Sequence, residues 1–448
     1  MPSQPGGGPI VDRREIVGLA VPAFLALVAE PLFLLADSAI VGHLGTIPLA
    51  GLGVAGSVLL TASGLFVFLA YATTSSVARQ LGAGSRARAM SAGLDGLWLS
   101  VVIGAVAALV ILGAAGPLSG LFGASPAAHA QAVTYLQIAA FGLPPMLVTL
   151  AVTGVLRGLL DTRTPLIASV LGFTCNAMLN LLFVHGLHWG IAGSAWGTVI
   201  AQTGMAAGLI AVFVHRARAE HSPLRPHPQR VLAAAADGLP LFVRTIALRL
   251  ALLLTVWAAA GIGDAPLAAH QISATVWSFL AFALDALAIA AQAIVGRDLG
   301  AARADVARAA TATLLRWGVL LGLVLGTALL LIRGPLVSLF SPDPAVQAYA
   351  TATLALVAAG QVVSGYVFVA DGVLMGAGDN RFLAVAMLLT LTAYLPMVLT
   401  VRAYARTADP THALVALWVA FLGLMVVRGA TLAWRLRGSA WVVTGARR

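Results

Sequence analysis

Apolar runs of roughly 20 residues, the length a helix needs to cross a bilayer core, recur along the chain from Ile16 to Trp434 and are broken only by short charged or Gly/Pro-containing stretches. The pattern predicts spans over 16–42, 49–76, 91–114, 130–155, 164–185, 191–214, 237–260, 268–295, 310–332, 346–374, 382–401 and 412–434. Little room is left for a soluble domain. Ten-residue blocks of period-2 alternation, the mark of a membrane barrel, are absent, so backbone polar groups must be satisfied within helices. The expected fold is an all-α integral membrane protein with twelve transmembrane helices.

Sliding the chain against itself gives one offset, 218 residues, that holds without gaps from the first span to the start of the fifth. Pro22 falls on Pro240, Pro48-Leu49-Ala50 on Pro266-Leu267-Ala268, and VARQLGAGSRARA from Val77 on VGRDLGAARADVA from Val295. GPLSGLF from Gly116 meets GPLVSLF from Gly334, and GVLRGLLDTR from Gly154 meets GVLMGAGDNR from Gly372, setting Asp161 on Asp379 and Arg163 on Arg381. One register kept this long is duplication. Six spans per copy is an even number, so the copies cross the membrane in the same orientation, as parallel repeats about an axis along its normal. The expected division is an N-terminal tail 1–15, an N-lobe 16–214, a charged, Pro-rich linker 215–236, a C-lobe 237–434 and a C-terminal tail 435–448. In transporters built this way the site lies where the halves meet near the midplane, and rocking of one half against the other alternates access.

Composition agrees with the pattern, since 60% hydrophobic against 9% charged residues leaves a 448-residue globule too little polar surface to stay dispersed in water. The net charge of +10 does not build a nucleic-acid face, because the arginines punctuate loops instead of clustering on one element. All 26 basic residues are Arg; 19 fall on the side of Arg13, Arg14, Arg79, Arg86, Arg216 and Arg447, and three (Arg333, Arg402, Arg406) on the other. The remaining four, Arg244, Arg249, Arg316 and Arg428, lie within spans. With positive charge held inside, both termini are expected in the cytoplasm and the chain in the cell membrane. Cys175 stands alone and cannot form an intrachain disulfide. The first apolar segment is too long for a signal h-region and lacks a small-residue cleavage site, so it is read as a retained helix.

Ionisable groups are costly in hydrocarbon and mark function or pairing. The acids within the spans are Glu30, Asp37, Asp285 and Asp371. Glu30 and Asp37 are two helical turns apart and so share a face of the first helix, with Pro31 between them to bend it. A carboxylate there can load and release a proton as its exposure changes; the plainer account of Asp37 is an interface residue near the outer helix end. Arg249 follows Asp237 by 12 residues, roughly 18 Å along a helix, which places it near mid-membrane with Asp285 or Asp371 as its expected partner. Arg244 is shallower and is accounted for equally by snorkelling to the interface. In the fifth span Asn176 and Asn180 share a face at i, i+4 and offer amides to a carboxylate, a cation or a substrate, or act as helix-packing glue. Thr198 in the sixth span is a weaker candidate.

Taken together, AEPLFLLADSAIVGHLG from Ala29, the LGAG loop at Leu81, GVLRGLLDTRTP from Gly154, NAMLNLLF from Asn176, PLAAHQI from Pro266 and DGVLMGAGDNR from Asp371 resemble the multidrug and toxic compound extrusion (MATE) transporters, in particular their DinF-like branch. The resemblance covers nearly the whole chain. It implies two six-helix lobes forming a V that expel substrates in exchange for inward H⁺ or Na⁺. Asp37 matches that family's coupling carboxylate, and Asn176 and Thr198 match its polar companions. Asn180 departs from the pattern, since several members carry an aspartate there; an amide cannot titrate, which favours H⁺ over Na⁺ and casts doubt on a two-carboxylate cation site. Glu30 supplies a second carboxylate only two turns away.

The leading reading is therefore a proton-coupled exporter of small amphipathic or cationic drugs or metabolites. Arg244 and Arg249 motivate the alternative, a flippase for a lipid-linked anionic precursor. An intramembrane enzyme is disfavoured by the lack of HExxH, GxSxG or a Cys/His cluster, His43, His129, His185 and His188 falling at outer loops, and an ATP-driven pump is disfavoured by the lack of a GxxxxGK[ST] loop. No cofactor, nucleic acid or obligate protein partner is expected; the partners are small-molecule substrates and membrane lipid. The four N-half candidates Asp37, Glu30, Asn176 and Thr198 fall at the repeat offset on Thr255, Leu248, Tyr394 and Ala416, so the scaffold repeats while the polar site does not. Ion coupling is placed in the first half, and Asp285, Asp371 and Arg249 in a different role.

Overall fold

The computed structural model describes residues 13–222 and 224–446. Residues 1–12 of the expected tail 1–15, and the terminal arginines 447 and 448, lie outside the described residues, while residues 13–15 are helical. Among the described residues all regular structure is helical, because a chain this apolar has no other way to satisfy its backbone in lipid. Fourteen α-helices follow in order: α1 (Arg13–Gly42), α2 (Thr46–Phe66), α3 (Phe68–Gly82), α4 (Arg86–Gly120), α5 (Pro126–Ala139), α6 (Leu143–Gly158), α7 (Arg163–Leu181), α8 (Gly190–Ala219), α9 (Pro228–Ala260), α10 (Asp264–Gly300), α11 (Ala304–Phe340), α12 (Pro344–Gly376), α13 (Asn380–Tyr404) and α14 (Pro410–Arg437). They make twelve helices long and apolar enough to cross a membrane, α2 with α3 and α5 with α6 each forming one. The helices outrun the apolar runs, so the expected linker shortens to residues 220–227 between α8 and α9.

The 218-residue register reaches the helix ends. Thr46 and Asp264 open equivalent helices, Gly82 and Gly300 close them, and Ala219 and Arg437 end α8 and α14. Start signals repeat as well: Ser125 and Asp343 cap α5 and α12, each followed by a proline at the first helical position, where no N–H is needed. So does close packing. A Cβ on Gly154 would stand 2.4 Å from the Ala70 carbonyl, and one on Gly372, its counterpart, 2.3 Å from that of Ala288, so backbone touches backbone at both places.

Regularity differs between the halves. The second span breaks at Val67, the fourth passes through a 3₁₀ turn at Ala140–Gly142, and the fifth ends in a π-helical segment at Leu182–Gly186, while α10, α12 and α13 run unbroken. Two compact units result. One comprises residues 21–239; the other comprises 240–446 with the first turns of α1, residues 13–20. The helix starts α1 and α9 thus belong to the unit of the opposite sequence half, and membership changes beside Pro22 and at Pro240. In the 21–239 unit, Arg230 of α9 donates to Asp95 of α4 at 2.7 and 3.0 Å. In the other, Arg297 of α10 pairs with Glu15 of α1.

Candidate functional site

Asp37 lies five residues before the end of α1 and is 4% exposed. One oxygen, Oδ1, accepts both of its hydrogen bonds, from Asn180 Nδ2 on α7 at 2.6 Å and from Ser194 Oγ on α8 at 2.7 Å. Both donors are neutral. Asn180 reaches Asp37 because residue 197 on α8 is glycine: a Cβ there would stand 2.0 Å from Asn180 Oδ1. The π-helical segment begins two residues after Asn180, where an i→i+5 turn resets the side-chain register at the end of the span.

A second polar layer follows one turn along. Because α7 and α8 are antiparallel, Asn176 and Thr198 lie on the same side of Asn180 and Ser194, each four residues away. Asn176 Oδ1 and Asn180 Oδ1 are buried without a hydrogen-bond partner among the described residues, while the Thr198 hydroxyl faces that of Tyr135. Tyr135 of α5, 4% exposed, stands within electrostatic reach of Asp37 beside Ser194 and Thr198. The cluster thus joins Asp37, Asn176, Asn180 and Thr198, and adds Ser194 and Tyr135, which the sequence reading missed. Ser194 was within reach, four residues before Thr198 and so on its face of the helix; nothing in the chain distinguishes Tyr135. Glu30 is not part of the cluster. It is exposed on α1 even though it shares a face with Asp37 by spacing, because that face passes from the packed end of the helix to an open stretch.

The second half holds its buried acid differently. Asp371 on α12, 3% exposed, accepts from Arg244 Nη2 of α9 at 2.6 Å and from Arg428 Nη2 of α14, both on Oδ2. Arg244 is 7% exposed and so is not snorkelled to an interface; of the two partners expected for Arg249, Asp285 or Asp371, the latter is held by Arg244 and Arg428. The reason is rotational: five residues from Arg244, Arg249 is exposed on another face of α9, and Asp285 is partly buried on α10. Where the repeat would place Asp37 and Asn176, Thr255 and Tyr394 share a 2.7 Å hydrogen bond.

Below the polar interior one ion pair has a counterpart in the other half, its aspartates matched at the 218-residue offset and its arginines one residue out of register. Arg216 of α8 donates to Asp161 at 2.6 Å in the turn before α7, and Arg435 of α14 donates to Asp379 at 2.6 Å before α13. Asp161 lies outside the spans. Partial burial works against its charge, but the hydroxyl and amide of Thr164 and the Arg216 guanidinium outweigh that and hold its carboxyl below the usual 3.8.

Against known proteins, the MatE family profile matches residues 22–182 and again residues 240–400, two stretches in the register of the internal repeat. The chain belongs to the MatE family. This MATE protein is 31% identical to the protein DETOXIFICATION 44, chloroplastic, of Arabidopsis thaliana, over 96% of this chain and 83% of that relative. It is 27% identical to the DNA damage-inducible protein F of Escherichia coli, over 94% and 92%. Among solved structures, a MOP superfamily transporter from Pyrococcus furiosus superposes with a TM-score of 0.85 at 21% identity over 97% of both chains. A MATE in the bent conformation gives 0.86 at 20%, over 97% and 96%. These two likenesses bear on the fold. Family membership makes the chain a multi-pass membrane efflux transporter, not an enzyme.

Proposed function

We propose that this MATE transporter expels small amphipathic or cationic molecules in exchange for protons carried by Asp37. The observation behind the reading is that Asp37 is buried and, among the described residues, accepts hydrogen bonds from the neutral donors Asn180 and Ser194 only. An ionised carboxylate in a low-dielectric site without a counter-charge is costly, and a proton taken up there removes the cost. Loading and unloading of that proton then biases the protein between access states, which is what antiport requires. Asp371 is unsuited to the task, because two guanidiniums already hold its charge. The flippase alternative draws no support from Arg244, which is buried against Asp371.

A sodium reading is favoured by one observation, the two unpartnered amide oxygens of Asn176 and Asn180 beside the carboxylate. Hard oxygen donors suit a small cation. To serve, the Asn180 amide would rotate and turn Oδ1 toward the ion. Efflux from proteoliposomes under imposed pH or Na⁺ gradients separates the two. Proton coupling predicts export driven by the pH gradient alone and abolished in Asp37→Asn; full pH-driven export by that variant would show the assignment to be wrong. The excess of arginines at the end of the bundle that carries Arg86, Arg216 and Arg437 supports placing both termini in the cytoplasm of a cell whose plasma membrane holds the protein.

A further inference from the structure

At the arginine-rich end of the 240–446 unit, the first turns of α11 and the last turn of α14 leave a cavity of about 410 Å³ lined by Arg308, Thr311, Leu315, Leu436, Arg437 and Trp441. Two guanidiniums and no carboxylate line it. Its level in the membrane follows from the sequence: Arg308 is four residues into α11, Arg437 closes α14, and Trp434, one turn before Arg437, is 69% exposed as interfacial aromatics are. Arg308, Ala312 and Leu315 form one stripe of α11 at i, i+4 and i+7, so the wall passes from charge to hydrocarbon as it descends. Further along, Leu320, Leu323 and Val324 are more than half exposed, a face for lipid chains.

The cavity is built by ordered chain. Trp441 is 2% exposed and its indole N–H donates to the Leu436 carbonyl at 3.2 Å. The segment beyond it is tied back by Gly445 N–H donating to Leu299 O at 3.0 Å. Arg308 has a nearby acid, Asp305, but at 3.7 Å and 94% exposed that pair is weak and screened. Nor is the cavity inherited from the duplication. The first-half counterparts of Arg308, Ala312 and Leu315 are Met90, Leu94 and Leu97, all buried in an apolar cluster with Phe213 and Ala217.

We propose that this cavity is a binding site for an anionic phospholipid, its phosphate held between Arg308 and Arg437 and an acyl chain lying along Ala312 and Leu315. Cationic pockets between helices at the membrane surface suit such headgroups. The test is native mass spectrometry of the full-length protein purified in detergent and titrated with phosphatidylglycerol, phosphatidylcholine or inorganic phosphate. Phosphatidylglycerol is expected to bind with on the order of tenfold preference over phosphatidylcholine, and the double variant Arg308→Gln/Arg437→Gln to lose that preference. Leu315→Trp, which fills the apolar wall without touching charge, is expected to weaken phosphatidylglycerol binding too. That keeps the result readable if the double variant folds poorly. Equal phosphatidylglycerol binding by wild type and both variants would overturn the proposal. So would inorganic phosphate displacing the lipid at equal concentration, since that would mark a free-phosphate site.

Discussion

In the first half of the transporter a buried carboxylate, Asp37, is met by two neutral donors, whereas in the second half a buried carboxylate, Asp371, is met by two guanidiniums. Both sit on one duplicated scaffold whose helix ends, caps and glycine contacts keep the same register. The difference teaches how a duplicated membrane protein divides labour. A carboxylate whose charge is already balanced is a fastener, drawing α9, α12 and α14 together. One whose charge is unbalanced remains open to an ion. The irregular helix segments sort the same way, with the 3₁₀ turn and the π segment both in the half that keeps the open carboxylate.

The sharpest break of that comparison is Asp371→Ala. It removes the carboxylate that the buried Arg244 and Arg428 share, and removing one partner of a buried ionic cluster costs about 3–5 kcal/mol. The expected outcome is loss of a monodisperse species on size exclusion or a large fall in melting temperature. Asp37→Asn should do the opposite to the two readouts: gradient-driven efflux falls to background while melting temperature stays level or rises, because the amide keeps the shape and removes the unbalanced charge. If Asp37→Asn melted far below wild type, Asp37 would be a fastener too. Gly197→Ala tests whether Asn180 must hold its place. The added Cβ falls 2.0 Å from Asn180 Oδ1, and overpacking of this kind costs about 1–3 kcal/mol; transport should fall with it. The smallest effect belongs to the partly exposed Asp161–Arg216 pair. Asp161→Asn should cost about 1 kcal/mol at neutral pH, a partly exposed ion pair being weak. The Asp161 carboxyl is held below 3.8, so its contribution is present above that pH and lost as pH falls through the lower folded value. The melting temperature of Asp161→Asn should therefore converge on that of wild type in acid.

Much of this scaffold is legible in the chain. Apolar runs locate the spans, and an offset that sets Pro22 on Pro240 and Asp161 on Asp379 reveals the duplication before any coordinate is known. Helix length is less so, since helices continue past the hydrocarbon: α10 starts at Asp264 and ends at Gly300, beyond the apolar run on both sides. The polar interior is legible only where one helix carries the signal. Asn176 and Asn180 announce themselves by spacing, but the Asp371 cluster draws on three helices far apart in sequence, and no spacing relates Arg428 to Arg244. Glu30 shows the converse, spacing that pairs it with Asp37 while packing covers only one of them.

The traded helix starts bear on the order in which the protein can be made. Residues 21–222 leave the ribosome early, yet their compact unit also needs residues 228–239, where Arg230 meets Asp95. The first unit is therefore completed only once the opening of the second half has been synthesised. The first turns of α1 wait longer still, because Glu15 finds its partner in Arg297, 282 residues downstream. A nascent chain halted between the halves would hold six spans in the membrane with one end of its packing unfinished.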